Sequence, residues 1–353
     1  MNNKYLLNED LLLIKNGLSE ELHLFEGKVI CLTGAMGFVG RYFVSFFDFL
    51  NKEVLKKPLK VFAFDNFISS SSNVLDSLPV DKSNIFFEKK DVCKNFNLDS
   101  NVDFIIHAAG IASPYYYRKY PLETIDVGFN ATKNILDIAK KKKSKVIFFS
   151  SSEIYGNPDP KFLPIEESYK GYVSCVGPRA CYDESKRIGE TLCAAYHEVH
   201  SVHTNMIRPF NVYGPGMLQN DYRVLPNFAV KFLKKENLKI YGKGNQTRTF
   251  CYITDAIIGF LKVLVHGLPG QPYNIGNPKP EISMIDLAKL IKKKIGNLDF
   301  SITDYPDSYP ADEPERRCPS IYKAEIQLNY NPKVELVQGL LKFFDWCEKH
   351  YKL

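Results

Sequence analysis

No apolar run in this 353-residue chain approaches the length of a membrane-spanning helix, which needs roughly 18 residues or more, so the sequence predicts no membrane partner. Cysteine is thinly spread. The eight, at positions 31, 93, 175, 181, 193, 251, 318 and 347, form no Cys-x-x-Cys pair with a matching second half, and the seven histidines show no ligand spacing. That argues against a structural metal and for unpaired thiols in a reducing, cytoplasmic setting. Charge of one sign is also scarce. A net +6 from 46 basic and 40 acidic residues suits an anionic small substrate and gives no case for nucleic acid. The densest basic run, Lys140–Lys145 interrupted only at Ser144, reads as a helix end, where cations complement the dipole. There is no internal repeat and no low-complexity linker. Residues 1–25 carry Glu9, Asp10 and Lys15 in their most apolar part, unlike a signal peptide. They predict a short amphipathic helix packed on the body or on another subunit.

What the chain has is a rhythm. Val29–Leu32, Val61–Phe64, Ile85–Glu88, Phe104–His107, Val146–Phe149 and Thr204–Ile207 read as strands, and Phe38–Leu50, Pro121–Lys142 and Tyr182–His197 as helices. Near-continuous apolar strands alternating with helices predict an α/β fold with a doubly wound parallel sheet covered on both faces. Past Asn211 prolines and glycines cluster. Helices near Pro226–Lys235 and Met284–Ile295, with strands near Lys239–Tyr241 and Phe300–Ile302, predict a smaller mixed lobe. The expected division is an N-terminal extension at 1–26, a main domain at 27–210 rejoined by 249–267, and a C-terminal lobe made of 211–248 and 268–353.

Gly34, Gly37 and Gly40 fall between the first strand and first helix, with Phe38 and Val39 inside the turn. Such glycines permit a tight turn and let helix N-terminal amides meet a pyrophosphate, the arrangement of a Rossmann dinucleotide site. The competing role is simple helix packing. Asp65 ends the second strand, where a carboxylate can accept from both ribose hydroxyls and would repel a 2′-phosphate, favouring NAD over NADP. A turn cap is the alternative for Asp65 and Asn66. Asp91 and Val92 after the third strand, Ala108 and Ala109 after the fourth, and further on Tyr182 with Lys186, which can hold a nicotinamide ribose, complete the expected cofactor set.

Tyr182 and Lys186 are one helical turn apart and share a face. A tyrosine of ordinary pKa near 10 is a poor base at neutral pH. A lysine ammonium beside it stabilises the phenolate, and Ser151 at the end of the preceding strand can donate to the same substrate oxygen. The trio reads as a proton relay for alcohol oxidation by hydride transfer. Glu153 lies two residues after Ser151. A plain 4-epimerase needs no carboxylate there, whereas acid–base work at a neighbouring carbon does. A surface Glu opening the next turn is the bland alternative.

These segments, with Asn211-Val-Tyr-Gly-Pro215, resemble the extended short-chain dehydrogenase/reductases that act on nucleotide sugars, over about Gly27–Tyr351. Within them the sequence is most similar to the UDP-glucuronate decarboxylases (UDP-xylose synthases). The likeness rests on Ala112-Ser113-Pro114 and the tyrosines after it, Ser150–Gly156, Gly177–Arg187 and Gly242–Arg248. That family's Thr-Ser-Glu matches Ser151-Ser152-Glu153. Its 4,6-dehydratase relatives carry an Asp at the middle position to help expel a hydroxyl from C6, which Ser152 cannot do. Arg317 matches the family's late arginine.

The resemblance implies NAD as cofactor and a nucleotide sugar, a UDP-sugar first, as substrate, bound by the C-terminal lobe through Asn211, Arg223, Tyr241, Arg248 and Arg317 and from the main domain by Ser113 and Tyr117. It implies transient oxidation at C4 with Tyr182 as base, loss of carbon dioxide from the resulting β-keto acid, reprotonation at C5 by Glu153, Arg317 or a bound water, and reduction at C4. It also implies a homodimer built on a four-helix bundle from the helices Pro121–Lys142 and Tyr182–His197, through residues such as Ile125, Phe129, Ile135, Leu192 and Tyr196. A 4-epimerase or 4,6-dehydratase on the same scaffold competes. A non-catalytic nucleotide-binding protein fits poorly with an intact Ser151, Tyr182 and Lys186. Two departures stand out: Gly128-Phe-Asn130-Ala-Thr132 replaces an Asn-x-x-Gly-Thr pattern, and Tyr222-Arg223-Val-Leu225 replaces Gly-Arg before two valines.

Overall fold

The computed structural model describes residues 6–69, 78–296, 298–304 and 314–352. The chain opens with α1 (Asn8–Gly17), followed by β1 (Val29–Thr33), α2 (Phe38–Glu53), β2 (Lys60–Asp65), β3 (Ile85–Lys89) and β4 (Phe104–His107). Then come α3 (Pro114–Lys119), α4 (Pro121–Asp126), α5 (Thr132–Lys142), β5 (Lys145–Phe149), α6 (Ala180–His200), β6 (Thr204–Pro209) and β7 (Val212–Tyr213). The later part holds α7 (Val224–Leu233), β8 (Leu238–Tyr241), β9 (Thr247–Arg248), β10 (Cys251–Tyr252), α8 (Ile253–His266) and β11 (Gln271–Ile275). It closes with β12 (Ile282–Ser283), α9 (Met284–Lys294), β13 (Phe300–Thr303), β14 (Arg316–Arg317), α10 (Tyr322–Leu328) and α11 (Leu336–His350).

Seven strands form one sheet in the order β11-β6-β5-β4-β1-β2-β3, every neighbouring pair parallel. Strands covered on both faces must be apolar along their whole length; accordingly all of β4 is buried, His107 included. The chain runs outward from β1 through β3, then crosses to β4 on the other side of β1. At that reversal, with Thr33 opposite His107, the carboxyl ends of β1 and β4 part and leave a crevice. The predicted doubly wound sheet is present.

β11 lies inside the stretch expected to form the C-terminal lobe, yet it pairs with β6 as the sheet's edge. Its Pro272 weakens the strand pattern, and an edge is where proline is tolerated. α8 is buried along almost its whole length between the sheet, α1 and α2, as a helix apolar on all sides must be. α1 packs on this body. Asp10, fully buried, accepts from Tyr42 Oη at 3.0 Å and Tyr252 Oη at 3.1 Å, and burial raises its carboxyl to about 6.

The helix expected over Pro121–Lys142 forms in three pieces, with a π turn at Val127–Ala131 between α4 and α5. Gly128 sits in that turn. A Cβ there would lie 2.5 Å from the Ser185 carbonyl oxygen of α6, so only glycine lets the two helices approach this closely. The departure from Asn at this position therefore has a packing cause.

In the C-terminal lobe, β9 lies between β12 and β14, in a register that sets Arg317 opposite Arg248. Two arginines remote in sequence thereby reach the mouth of the crevice.

Candidate active site

At the crevice the glycine turn is closely packed. Gly34 has φ +71°, and a Cβ on it would meet the backbone of Ala108 and Ala109 at 2.7 Å; one on Gly40 would meet Gly34 O at 2.1 Å. Gly37 is the N-cap of α2, with no side-chain cap, so the helix's first amides face the crevice unshielded. Phe38 and Val39 fill its first turn. The Asp65 carboxylate is pinned at the end of β2 by the amides of Met36 and Phe67, both at 2.8 Å, which orients it toward the turn; burial raises its pKa. Asn66 caps Ile68 N at 3.1 Å and Asp91 caps Cys93 N at 3.1 Å, while Val92 is buried. A bare helix N-terminus, a fixed carboxylate and a turn closed by Gly34, Gly37 and Gly40 fit a dinucleotide.

Ser151 follows β5. Its Oγ accepts from Glu153 N at 3.2 Å, starting a 3₁₀ turn over Ser152–Tyr155 in which Ser152 is buried. Tyr182, in the first turn of α6, is buried, and burial raises its phenol to about 12 against a hydrogen bond with Ser151. Lys186 lies one turn on. Its Nζ donates to Phe149 O at 2.7 Å and stands 5.7 Å from the Tyr182 ring centroid. The sequence reading gives the ammonium the task of stabilising the phenolate; here its bond goes to a strand-end carbonyl, and Ser151 is the neighbour that lowers the phenol's pKa. Burial lowers the Lys186 pKa to about 8. Tyr117 stacks on Tyr182 with centroids 5.1 Å apart and planes within 15°. Gly110, which the sequence reading passes over, makes room for the ammonium: a Cβ there would lie 2.8 Å from Lys186 Nζ.

Glu153 is the centre of an arginine cluster. Arg317 donates through Nη1 to Oε1 and through Nη2 to Oε2, the latter at 2.7 Å. Arg179, just before α6, donates to Oε2 as well. Burial would raise the Glu153 pKa, but the charges of Arg317, Arg179 and Arg248 hold it below the usual carboxylate range. Arg179 also approaches Asp183 Oδ2 at 3.7 Å. Burial raises Asp183 to about 7 despite Arg179. Neither Arg179 nor Asp183 is in the sequence-derived set, although both lie inside the Gly177–Arg187 segment. Their sequence signal was present but had no assigned partner.

The remaining expected substrate residues are spread around the mouth. Ser113 Oγ donates to Asp221 O at 2.7 Å, and Arg223 pairs with the Asp221 carboxylate at 2.5 and 2.7 Å. Asp221, missed from sequence, thus ties two of them together. Asn211 takes a positive φ of 39° and donates to Thr249 O at 2.8 Å. Tyr241 ends β8, where its carbonyl accepts from Gln246 at 3.1 Å. Ser151, Glu153, Tyr182, Arg248 and Arg317 converge; Ser113, Asn211 and the Tyr241 carbonyl bond instead to Asp221, Thr249 and Gln246.

A family model described as the NAD dependent epimerase/dehydratase family matches residues 30–276. The chain belongs to that family. Its cofactor is NAD. The chain is 36% identical over 325 residues to UDP-glucuronic acid decarboxylase 1 of Xenopus tropicalis, covering 91% of this chain and 72% of that protein. It is 38% identical over 313 residues to UDP-glucuronic acid decarboxylase 1 of Arabidopsis thaliana, covering 88% and 68%. Among solved structures, a UDP-glucuronic acid 4-epimerase from Bacillus cereus, in complex with UDP-glucuronic acid and NAD, superposes with a TM-score of 0.77. It has 26% identity over 92% of this chain and all of that one. Protein purified without added nucleotide should release NAD on denaturation; NADP as the dominant species would contradict the role given to Asp65.

Proposed function

We propose that this enzyme decarboxylates UDP-glucuronate to UDP-xylose through a transient 4-keto intermediate. The observation that carries the reading is the arginine cluster beside Ser151 and Tyr182. Arg317, Arg179 and Arg248 outnumber Glu153, leaving a net cationic wall suited to the carboxylate of a uronic acid. Ser152, in place of the Asp of a dehydratase, supports the same choice.

Bound NAD supplies a hydride acceptor and donor for C4. Tyr182 takes the C4 hydroxyl proton as the phenolate, which the Lys186 ammonium one turn away and the Ser151 hydroxyl favour against its burial, while Ser151 donates to the same oxygen. In the resulting β-keto acid the C5–C6 bond breaks, carbon dioxide leaves, and its electron pair forms an enolate whose oxygen is held by Tyr182 and Ser151. Glu153, held ionised, is not the acid that reprotonates C5; a water that it orients fills that role. Lys186 and the stack of Tyr117 keep Tyr182 in place. The test is incubation with UDP-glucuronate: carbon dioxide and a UDP-pentose are expected, and a retained uronate would move the assignment to the 4-epimerase reading.

The finer features of the assembly belong to the same reading. Leu122, Ile125 and Phe129 are exposed along α4 and the π turn, and Val199 on α6. Ile135, by contrast, is fully buried in the core, and Leu192 and Tyr196 pack against that core. The dimer face therefore consists of Leu122, Ile125, Phe129 and Val199, joined across a two-fold axis as a four-helix bundle. Light scattering at micromolar concentration should return twice the chain mass; a monomer mass contradicts the bundle. A cytoplasmic place is supported by eight unpaired cysteines. Among the described residues no helix is long and apolar enough to cross a membrane.

A further inference from the structure

Arg317 commits both terminal nitrogens to Glu153. The end-on fork leaves Arg317 Nε, buried and without a hydrogen-bond partner, with the second hydrogen of Nη2 as a side-on pair of donors. A substrate carboxylate met by that side-on pair shares the Arg317 charge with Glu153, and a buried carboxylate whose counter-charge is drawn off would take up a proton. Arg179 prevents that. It approaches from the other side, on the segment that starts α6 and carries Tyr182, and its bond is to Oε2, the oxygen it shares with Arg317. Its side chain is only 11% exposed.

We infer that Arg179 is a positioning residue that holds Glu153 ionised and in place, freeing Arg317 to pair with the substrate carboxylate. This rests on the decarboxylase reading and adds a division of labour to it: one arginine stays with the enzyme's carboxylate while the other moves to the substrate's. The charged and titratable groups facing Glu153 are Arg317 from β14, Arg248 from β9, and Arg179, Asp183 and Tyr182 from the start of α6. Tyr117 from α3 stands behind them. Asp183, with one carboxyl oxygen buried and without a hydrogen-bond partner, is raised to about 7 by burial, so it offsets the Arg179 charge on the alkaline side and leaves it uncancelled on the acid side, where the effect is read.

The sign follows from the arrangement. With Arg179 gone, Glu153 loses a counter-charge, binds a proton at higher pH, and activity is lost earlier as pH falls. The experiment measures carbon dioxide release from UDP-glucuronate against pH for the full-length wild type, Arg179→Gln, Arg179→Lys and the Arg179→Gln/Asp183→Asn double variant, with NAD content as the check on folding. Arg179→Gln is expected to lose about tenfold or more in kcat near pH 6, with the loss shrinking toward pH 9 and KM changing less than kcat. Arg179→Lys keeps the charge and should restore most of the acid-side rate. The double variant should retain the shifted acid limb, assigning it to Glu153. A wild-type pH profile in Arg179→Gln, or a uniform loss that lysine does not rescue, overturns the inference. A wild type that releases no carbon dioxide overturns the decarboxylase reading instead.

Discussion

Tyr182→Phe should lower turnover by about 10²- to 10⁴-fold, the usual range for losing a positioned general base, while leaving NAD content and substrate affinity close to wild type. Only the phenol oxygen is removed, and the ring keeps its stack on Tyr117 at 5.1 Å. The Ser151 hydroxyl still accepts from Glu153 N at 3.2 Å. The net stability cost is that of one hydrogen bond, about 1 kcal/mol. The reading is the reduced-nicotinamide absorbance on adding UDP-glucuronate to the bound-cofactor enzyme. Wild type should show a transient. A variant with the same transient at the same rate would remove Tyr182 from the relay.

Arg317→Ala and Glu153→Gln should each cut carbon dioxide release by about 10²- to 10³-fold, the scale on which removing one preorganised charge partner acts, with NAD retained. The two losses have different origins. Arg317→Ala deletes the cation for the substrate carboxylate and leaves Glu153 with Arg179 as its hydrogen-bonded partner. Glu153→Gln keeps the shape but releases the arginines, so the wall binds an anion without orienting a water at C5. Because Arg317 is almost fully buried, the alanine variant also opens a cavity. Arg317→Lys, which keeps charge but not the planar fork, separates the two effects. It should fold as wild type and recover little activity. Oxidation at C4 that continues while decarboxylation stops would place both residues at the second step; normal carbon dioxide release from both variants would strip them of their roles.

Much of this fold was legible because parallel strands buried on both faces leave an unmistakable apolar pattern, and all six strands read from the main domain are present within one or two residues. β11 escaped because Gly267, Pro269, Gly270 and Pro272 crowd a short edge strand, where ladder bonds on one side suffice. The π turn escaped because nothing in the 3.6-residue period marks an inserted residue; only the glycine hinted at close contact. At the site, Ser151, Tyr182 and Lys186 could be read from local spacing alone. Arg317 came from resemblance, and Arg179 was passed over although it lies three residues before Tyr182. Its meaning depends on β14 pairing with β9 and setting Arg317 beside Glu153, a long-range contact that no local pattern records. Ile135 failed as an interface residue for a related reason: it lies on α5, whose apolar residues are all buried, while the exposed ones lie on α4 and the π turn, and periodicity does not separate the two.

The most direct test of the account follows the carboxyl carbon. The purified enzyme is given UDP-glucuronate labelled at that carbon, and the gas and nucleotide sugars are analysed together. The account predicts labelled carbon dioxide and unlabelled UDP-xylose in equal amounts, with bound NAD unchanged at the end. Label retained in a UDP-uronic acid of altered C4 configuration would contradict it.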